Sequence, residues 1–236
     1  MPIHPLLVKT KLYKSILCLI KPFIRTYNYM TFLDYVTKNR KHGYINDYYN
    51  KNTGYNYRYQ LHETILLKLN INQLPVNYLE FGVAEGNMIK FWASKNSNEN
   101  SLFIGFDSFE GLPESWENKA KEHFNNEGKI PVISDGRVSF VKGWFQDTVH
   151  KYLKNMDFSN QSIFHLDADL FSSTLYVLFQ IHPFIKKDDI LIFDEFSSVE
   201  NEFLALETFR KCIGKDWGFQ FLGAVNNFRQ VALQIK

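Results

Sequence analysis

Cysteine is scarce in this chain of 236 residues, which contains only Cys18 and Cys212. The two residues are far apart in sequence, and neither has a neighbour at the spacing of a zinc site. The sequence therefore predicts neither a disulfide framework nor a structural zinc site. We expect a reducing, cytoplasmic compartment, with or without contact to a membrane surface.

An excess of one charge is also lacking, because 27 Lys and Arg residues stand against 25 Asp and Glu residues. A broad basic face is therefore not expected, and no Asn-Pro-Pro-Tyr motif of base-flipping enzymes occurs, so we expect no nucleic-acid partner. No apolar run is long enough to cross a bilayer. A signal peptide with a small-residue cleavage site is absent as well.

The N-terminal segment mixes apolar and basic residues over positions 3–25, and its apolar residues can share one stripe of a helix. Pro22 is expected to end or kink this helix. Two interpretations remain open. The helix packs on the domain, on a second copy of the chain in a homodimer or over the active site as a lid, or it lies on an anionic membrane surface. We expect an N-terminal extension over residues 1–57, ending in a mobile substrate-facing loop at 40–58.

Residues 77–93 predict a short buried strand, a glycine turn and the start of a helix. The pattern Glu80-x-Gly82-x-Ala84-x-Gly86 differs from the dinucleotide pattern Gly-x-Gly-x-x-Gly. Glycines let the backbone approach a ligand closely, and a carboxylate at a strand tip accepts hydrogen bonds from ligand amines or hydroxyls. A tight turn without a ligand is the alternative. The candidate ligand contacts here are Glu80, Phe81, Gly82, Glu85 and Gly86.

Strand-like runs alternate with helical runs along the rest of the chain, at 101–107, 137–142, 162–169 and 189–195. This alternation predicts a mostly parallel sheet. The runs 218–225 and 228–235, joined by two asparagines, predict an antiparallel hairpin, which is the topology of S-adenosylmethionine (SAM) methyltransferases. We therefore expect a Rossmann-like α/β domain over 58–236 with a seven-stranded sheet. The polar run 108–136 should carry a short helix and lie over the active site.

Two residues at strand ends are further candidate cofactor contacts. Asp107 ends its strand 21 residues after Gly86, where doubly wound folds place an acid on ribose hydroxyls. A solvated acid or a helix cap is the alternative for Asp107. Trp144 follows the next strand and is equally compatible with packing on an adenine and with packing in the core.

Four carboxylates, Asp167, Asp169, Asp194 and Glu195, follow two strands that should be neighbours, so we expect them to converge in the ligand crevice. Unpaired, they would raise one another's pKa. An all-oxygen set favours Mg²⁺, Mn²⁺ or Ca²⁺ over zinc. Helix capping, or binding of an amino group without a metal, is the alternative. His165, on the same strand, is expected to be a buried core residue.

Five stretches together resemble the macrocin O-methyltransferase (TylF/MycF) family: 80–86, 106–113, 142–148, 166–174 and 193–195. The most specific are the runs Asp-Ser-Phe-Glu-Gly-Leu-Pro and Asp-x-Asp-Leu-Phe-x-Ser-Thr, and the resemblance covers roughly 60–235. It implies Mg²⁺-dependent methylation of a hydroxyl, often on a sugar of a natural product or a surface glycan. Glu195 stands where many members have Asp. The resemblance implies metal ligation by Asp167, Asp194 and Glu195, and SAM contacts from Glu80, Gly82, Asp107 and Ser108.

The expected reaction is in-line methyl transfer from the SAM sulfonium to a hydroxyl oxygen, with Asp167 or Asp169 as the base. Asp167 is also a candidate SAM contact. Two other functions remain open. An NAD-dependent oxidoreductase is disfavoured by the glycine pattern and the C-terminal hairpin, and a SAM-fold binding or scaffold subunit would lack catalysis.

Overall fold

A mixed sheet of eight strands organises the residues that the computed structural model describes, which are 10–116, 119–214 and 218–236. The order across the sheet is β1-β7-β8-β6-β5-β2-β3-β4, and only β8 runs antiparallel to its neighbours. The predicted mostly parallel sheet with a C-terminal hairpin is confirmed, but β1 adds an eighth strand at one edge. The strands are β1 (Ile45–Asn46), β2 (Val76–Phe81), β3 (Leu102–Asp107), β4 (Val138–Lys142), β5 (Gln161–Leu166), β6 (Ile190–Phe193), β7 (Phe219–Val225) and β8 (Gln230–Ile235).

Helices cover both faces of this sheet. Leu79 and Phe81 of β2 belong to the apolar cluster under α4, α5 and α6, whereas Tyr78 belongs to the cluster under α2 and α3. Successive side chains of a strand point to opposite faces, so strands that are buried on both faces read as continuous apolar runs. The helices in the described residues are α1 (Leu12–Asn39), α2 (Arg58–Lys68), α3 (Asn87–Lys95), α4 (Phe145–Leu153), α5 (Phe171–Ile181) and α6 (Glu202–Ile213).

Helix α1 continues through Pro22, so the helix does not end there, and the kink that we expected as the other outcome stays a prediction. Proline removes one intrahelical donor, and the hydroxyl of Thr26 bonds the Pro22 carbonyl at 2.9 Å. Near its C-terminal end the helix docks on the domain through Phe32 and Val36, which are buried in the same cluster as α6. No helix among the described residues is long and apolar enough to cross a bilayer.

The segment that follows α1 is held by the C-terminal hairpin, in contrast to the mobile loop that we expected. Strand β1 pairs with β7, and the Asp47 carboxylate accepts hydrogen bonds from the backbone N–H groups of Asn226 (2.8 Å) and Asn227 (3.0 Å). Both asparagines have a positive φ, as does Phe228. The predicted asparagine turn is therefore confirmed, and it also serves as the anchor for residues 45–54.

The turn after β2 packs closely on the loop after β5. Gly82 has a φ of 97°, a left-handed conformation that favours glycine. A Cβ atom at this position would lie 1.9 Å from the carbonyl oxygen of Asp167. The contact therefore fixes the two strand tips against each other.

We predict that Gly82→Ala lowers the free energy of unfolding by more than about 3 kcal/mol, because the added Cβ meets backbone in a strained conformation. Urea or thermal unfolding measures this loss. Gly136→Ala is the matched control, since a Cβ there meets no atom within 4 Å, and it should change stability by less than about 1 kcal/mol. Equal losses in the two variants would contradict the close-packing explanation.

Candidate active site

A cavity of about 310 Å³ opens at the carboxyl ends of the parallel strands. Open α/β sheets bind their ligands at this place, and the volume lies within the range of ligand sites. The connection 108–136 forms part of its wall, as expected, but its described residues contain no helix, so that part of the prediction is wrong. Aromatic rings line much of the wall, from Tyr55, Trp116, Phe124, Trp144 and Phe145.

Eight of the twelve predicted site residues line this cavity: Gly82, Asp107, Ser108, Trp144, Asp167, Asp169, Asp194 and Glu195. The other four do not. Glu80 and Phe81 are buried within β2, Glu85 is exposed beside a separate depression, and Gly86 faces Pro131. We predicted that these four residues contact the cofactor. Their positions outside the cavity wall do not support that prediction.

Asp107 holds the glycine turn in place. Its Oδ2 accepts hydrogen bonds from the backbone N–H groups of Val83 (2.7 Å) and Ala84 (2.9 Å), and its Oδ1 accepts one from Phe109 (2.7 Å). A carboxylate has about four acceptor positions, so acceptor capacity remains on the cavity side. The Ser108 hydroxyl is used within its own loop. Asp107 therefore shapes the turn and can also bind a ligand hydroxyl.

A buried arginine lies among the acidic residues at the other side of the cavity. Arg58, at the start of α2, is only 3% exposed. Its Nη1 lies 3.3 Å from Asp194 Oδ2 and 3.6 Å from Asp167 Oδ2. The guanidinium also lies over the ring of Tyr55, at 3.9 Å from the ring centroid. One cation thus joins the carboxylates that follow β5 and β6.

The remaining two predicted carboxylates differ in their surroundings. Glu195 is paired with Arg229, whose Nε donates to Oε1 (3.0 Å) and Oε2 (2.9 Å) and whose Nη2 also contacts Oε1. Asp169 has neither a hydrogen bond nor an ion pair from its carboxylate to any described residue, although it borders the cavity. Burial and the adjacent Glu195 raise the pKa of Asp169 to about 8.

The carboxylates at this side of the cavity outnumber the cationic side chains beside them. Burial and the charge of Asp194 raise the pKa of Asp167 well above its ordinary value. Burial acts on Asp194 in the same direction, but His165 and Arg58 outweigh it and hold the pKa of Asp194 at about 2. Five carboxylates face three cationic side chains, which leaves two negative charges uncompensated when all are ionised: Asp167, Asp169, Asp194, Glu195 and Glu202 against Arg58, Lys119 and Arg229.

A buried chain of hydrogen bonds inside the sheet joins Glu80, Tyr78 and His165, and it ends beside Asp194. The Tyr78 hydroxyl lies 3.0 Å from Glu80 Oε2 and 2.8 Å from His165 Nδ1, and His165 Nε2 lies 3.8 Å from Asp194 Oδ1. The Tyr78 hydroxyl donates to Glu80, and this bond opposes the effect of burial, which raises the pKa of Glu80 to about 8. The separation between His165 Nε2 and Asp194 Oδ1 exceeds that of a hydrogen bond, so these two groups interact through charge and dipole alone. The prediction that His165 is a core residue is confirmed, and Glu80 belongs to the same network.

Three groups within 4.8 Å of one another, on His62, His165 and Asp194, have the composition of a metal site. However, His62 Nδ1 accepts a hydrogen bond from Trp92 Nε1 at 2.9 Å, and an indole N–H only donates. Burial lowers the pKa of His62 well below its ordinary value, so the neutral ring carries its proton on Nε2, toward the other two groups. A protonated nitrogen does not ligate a metal. We therefore do not interpret this trio as a metal site, although no hydrogen bond from a described residue reaches His62 Nε2, His165 Nε2 or Asp194 Oδ1.

The oxygen ligands predicted from the sequence suit a hard divalent cation better. Asp167 faces the cavity with 24% of its side chain exposed, and Asp194 lines the same wall. When all five carboxylates are ionised, their two uncompensated negative charges match the charge of one such ion. Glu195 fits this role less well than predicted, because Arg229 engages both of its carboxylate oxygens.

Comparison with known proteins agrees with this geometry. The family model described as macrocin O-methyltransferase (TylF) matches residues 53–216. The solved calicheamicin methyltransferase CalS11 has a TM-score of 0.58 and 21% identity, over 77% of this chain and 80% of that chain. For the O-methyltransferase NovP the values are 0.56 and 18%, over 76% and 77%. A structure described as cmcI-D160 Mg-SAM has a TM-score of 0.50 and 14% identity, over 75% and 70%. No curated protein sequence matches significantly.

The strand order, the C-terminal hairpin and the glycine turn beside a strand-end acid define a Rossmann-like methyltransferase. The family model spans more than half of the chain, so this protein belongs to the macrocin O-methyltransferase (TylF) family. It is a SAM-dependent O-methyltransferase, which replaces the two other functions that the sequence left open.

Two arginines of the site are not identified by the sequence analysis. For Arg58 a signal exists, because it precedes Leu61 and Ile65 by three and seven positions and therefore shares the buried stripe of α2. An arginine on such a stripe requires a buried acid. Arg229 gives no comparable signal, since a polar residue just after a hairpin turn is ordinary.

We predict that Arg58→Met lowers the free energy of unfolding by about 3–5 kcal/mol, because it leaves two buried carboxylates without their shared cation. Chemical denaturation at neutral pH measures the loss. The control is Lys95→Met, which breaks the half-exposed ion pair with Glu63 and should cost less than about 1 kcal/mol. A small effect of Arg58→Met would show that the carboxylates are compensated in another way.

Proposed function

We propose that this enzyme transfers a methyl group from SAM to a hydroxyl of a sugar-containing small molecule or a glycan, with assistance from a divalent cation. One observation carries the proposal. A single cavity holds a strand-end acid beside the glycine turn at one side and a cluster of carboxylates, one of them unpaired, at the other. The first suits a nucleoside, and the second suits the activation of a hydroxyl.

The acceptor class is supported by the proteins of similar fold. CalS11 is described as a calicheamicin methyltransferase and as a TDP-rhamnose 3'-O-methyltransferase, and NovP as an O-methyltransferase. At 18–21% identity these likenesses concern the fold. The aromatic wall of the cavity adds support from this chain, because sugar rings and nucleosides pack well on exposed aromatic faces.

SAM supplies an electrophilic methyl group on a sulfonium, and the chain's own residues would hold its nucleoside. Asp107 would accept hydrogen bonds from the ribose hydroxyls with the acceptor capacity that the turn leaves free. Trp144 would pack on the adenine, because it is half-buried and lines the cavity rather than the core. The backbone at Gly82 would border the bound molecule.

The candidate metal ligands are Asp167 and Asp194, and Glu195 would join them on leaving Arg229. When bound, a divalent cation supplies positive charge that lowers the pKa of an acceptor hydroxyl. Arg58 keeps Asp167 and Asp194 close together despite their like charge. His165, held in place by Tyr78, lies close to the other oxygen of Asp194, which the hydrogen bond from Arg58 does not use.

Asp169 is the better candidate for the base of the two that the sequence left open. Its carboxylate faces the cavity without a bonded partner in the described structure, whereas Asp167 is paired with Arg58. A base must have a free lone pair within hydrogen-bond reach of the acceptor hydroxyl. In its ionised form, whose share grows as the pH rises toward the pKa of about 8, Asp169 would remove the proton of that hydroxyl as the oxygen attacks the methyl carbon.

Calorimetric titration with S-adenosylhomocysteine (SAH), in Mg²⁺ and then in EDTA, tests cofactor binding, and methyl transfer to a panel of glycosides tests the reaction. We expect micromolar SAH binding in both buffers and loss of turnover in EDTA. Turnover that is indifferent to EDTA would refute the metal assistance. Absence of SAH binding in both buffers would refute the assigned cofactor site.

We predict that Asp107→Asn weakens SAH binding by about 10- to 150-fold, because the substitution removes a charged acceptor of hydroxyl hydrogen bonds. Titration calorimetry measures this change. Glu85→Gln is the matched control, since Glu85 is exposed and lies outside the cavity, and its SAH affinity should be unchanged. A weaker affinity in Glu85→Gln would instead support the cofactor contact predicted from the sequence.

We predict that Asp169→Asn lowers kcat by about 10²- to 10⁴-fold and leaves SAH affinity within about twofold, because an amide cannot accept the proton. Steady-state kinetics together with SAH titration measure both quantities. A loss of kcat below about tenfold would transfer the role of base to Asp167.

A further inference from the structure

The N-terminal two thirds of α1 present apolar side chains to solvent. Ten of them in the described residues are between 37% and 73% exposed, in contrast to Phe32 and Val36 further along the helix, which are buried. Isolated exposed apolar residues are normal, whereas a continuous set marks an interaction surface. The set comprises Tyr13, Ile16, Leu17, Leu19, Ile20, Phe23, Ile24, Tyr27, Tyr29 and Met30.

These side chains share one side of the helix. Each of them except Tyr29 lies three or four positions from another member of the set, which is the spacing of a single helical face. Lys14 and Arg25 lie on the opposite side. Lys14 and Arg25 are eleven positions apart, which is about three full turns, so they share one side. Lys14 precedes Phe23 by nine positions, which is about two and a half turns, so Phe23 lies on the other side.

The basic side of the helix faces the domain. Arg25 Nε lies 3.6 Å from Glu200 Oε2, and Phe32, two turns further on the same side, packs edge-on against Phe203 with ring centroids 5.3 Å apart. The apolar side therefore points away from the domain.

Charge distinguishes the occupants that could cover this face. The chain contains no Asp or Glu before Asp34, whereas five basic residues precede it: Lys9, Lys11, Lys14, Lys21 and Arg25. The remainder of the chain consequently carries a net charge of −3, since the total is +2. A second copy of the helix would bring like charges together. Anionic phospholipid would bring opposite ones and also accept the apolar side chains.

We propose that residues 12–30 form a docking surface for an anionic phospholipid membrane. The helix lies in the plane of the membrane surface, with its apolar side at the boundary between headgroups and acyl chains. Its basic residues lie on the domain side of the helix, within the range of the negative surface potential. Binding of this kind places the enzyme on the membrane without crossing it, in agreement with the absence of a spanning helix among the described residues.

Flotation of the full-length protein with vesicles tests the proposal. One set of vesicles contains phosphatidylcholine alone, and the other contains phosphatidylcholine mixed with phosphatidylglycerol. We expect at least tenfold stronger binding to the mixed vesicles, because each basic residue near an anionic surface contributes about fivefold. Raising the salt concentration should weaken this binding.

Two double variants separate the helix face from general hydrophobicity. Leu19→Glu with Phe23→Glu places charges on the two most exposed apolar residues of the helix, and it should reduce binding by more than about tenfold. Leu67→Glu with Val132→Glu makes the same chemical change at exposed apolar positions elsewhere and should bind like the unmodified protein. Unchanged SAH affinity in both variants confirms that they are folded.

Three outcomes would overturn the proposal. The unmodified protein could fail to float with mixed vesicles, or both double variants could float equally well. Alternatively, sedimentation velocity without vesicles could show a dimer that the Leu19→Glu, Phe23→Glu variant converts to a monomer, in a protein that does not bind vesicles. The last result would assign the face to a contact between two copies of the chain.

Discussion

The candidate active site depends on the compensation of buried negative charge by Arg58. Asp167 and Asp194 end neighbouring strands, and parallel strands place their ends at the same edge, so the fold itself forces these like charges together. Without a cation between them, one would remain protonated or the strand ends would separate. The arginine comes from α2, which precedes the sheet in sequence. The helix is therefore an integral part of the site and not only a cover for one face of the sheet.

At the other side of the cavity, backbone N–H groups rather than an arginine bind the acidic side chain. The Asp107 carboxylate binds the N–H groups of the glycine turn, and Gly82 allows that turn to lie directly on the loop of Asp167. The cofactor side and the acidic side of the cavity thus share one rigid junction. A substitution at Gly82 would therefore disturb both sides of the cavity, although Gly82 itself borders only one of them.

The sequence predicts the sheet, its hairpin and most residues of the cavity, because these follow from local patterns: apolar runs, glycine turns and acids at strand ends. It does not predict the pairings that cross the chain. Arg58 and Asp194 are 136 positions apart, and Arg229 reaches Glu195 over 34. Helix α1 does not end at Pro22, because a long helix tolerates the loss of one backbone donor. The two-residue strand β1 is too short for any periodic pattern, and pairing with β7 alone defines it.

The anchoring of α1 connects the proposed membrane surface with the acidic side of the cavity. Tyr35 and Phe32 pack on Phe196, which directly follows Glu195, and on Phe203 in α6. The loop that carries Asp194 and Glu195 is therefore packed between β6 and helix α1. Docking on a membrane would fix the helix, and through these aromatic contacts it would also hold the loop. In such an arrangement the position of the enzyme on the membrane and the order of its active site are coupled through one set of side chains.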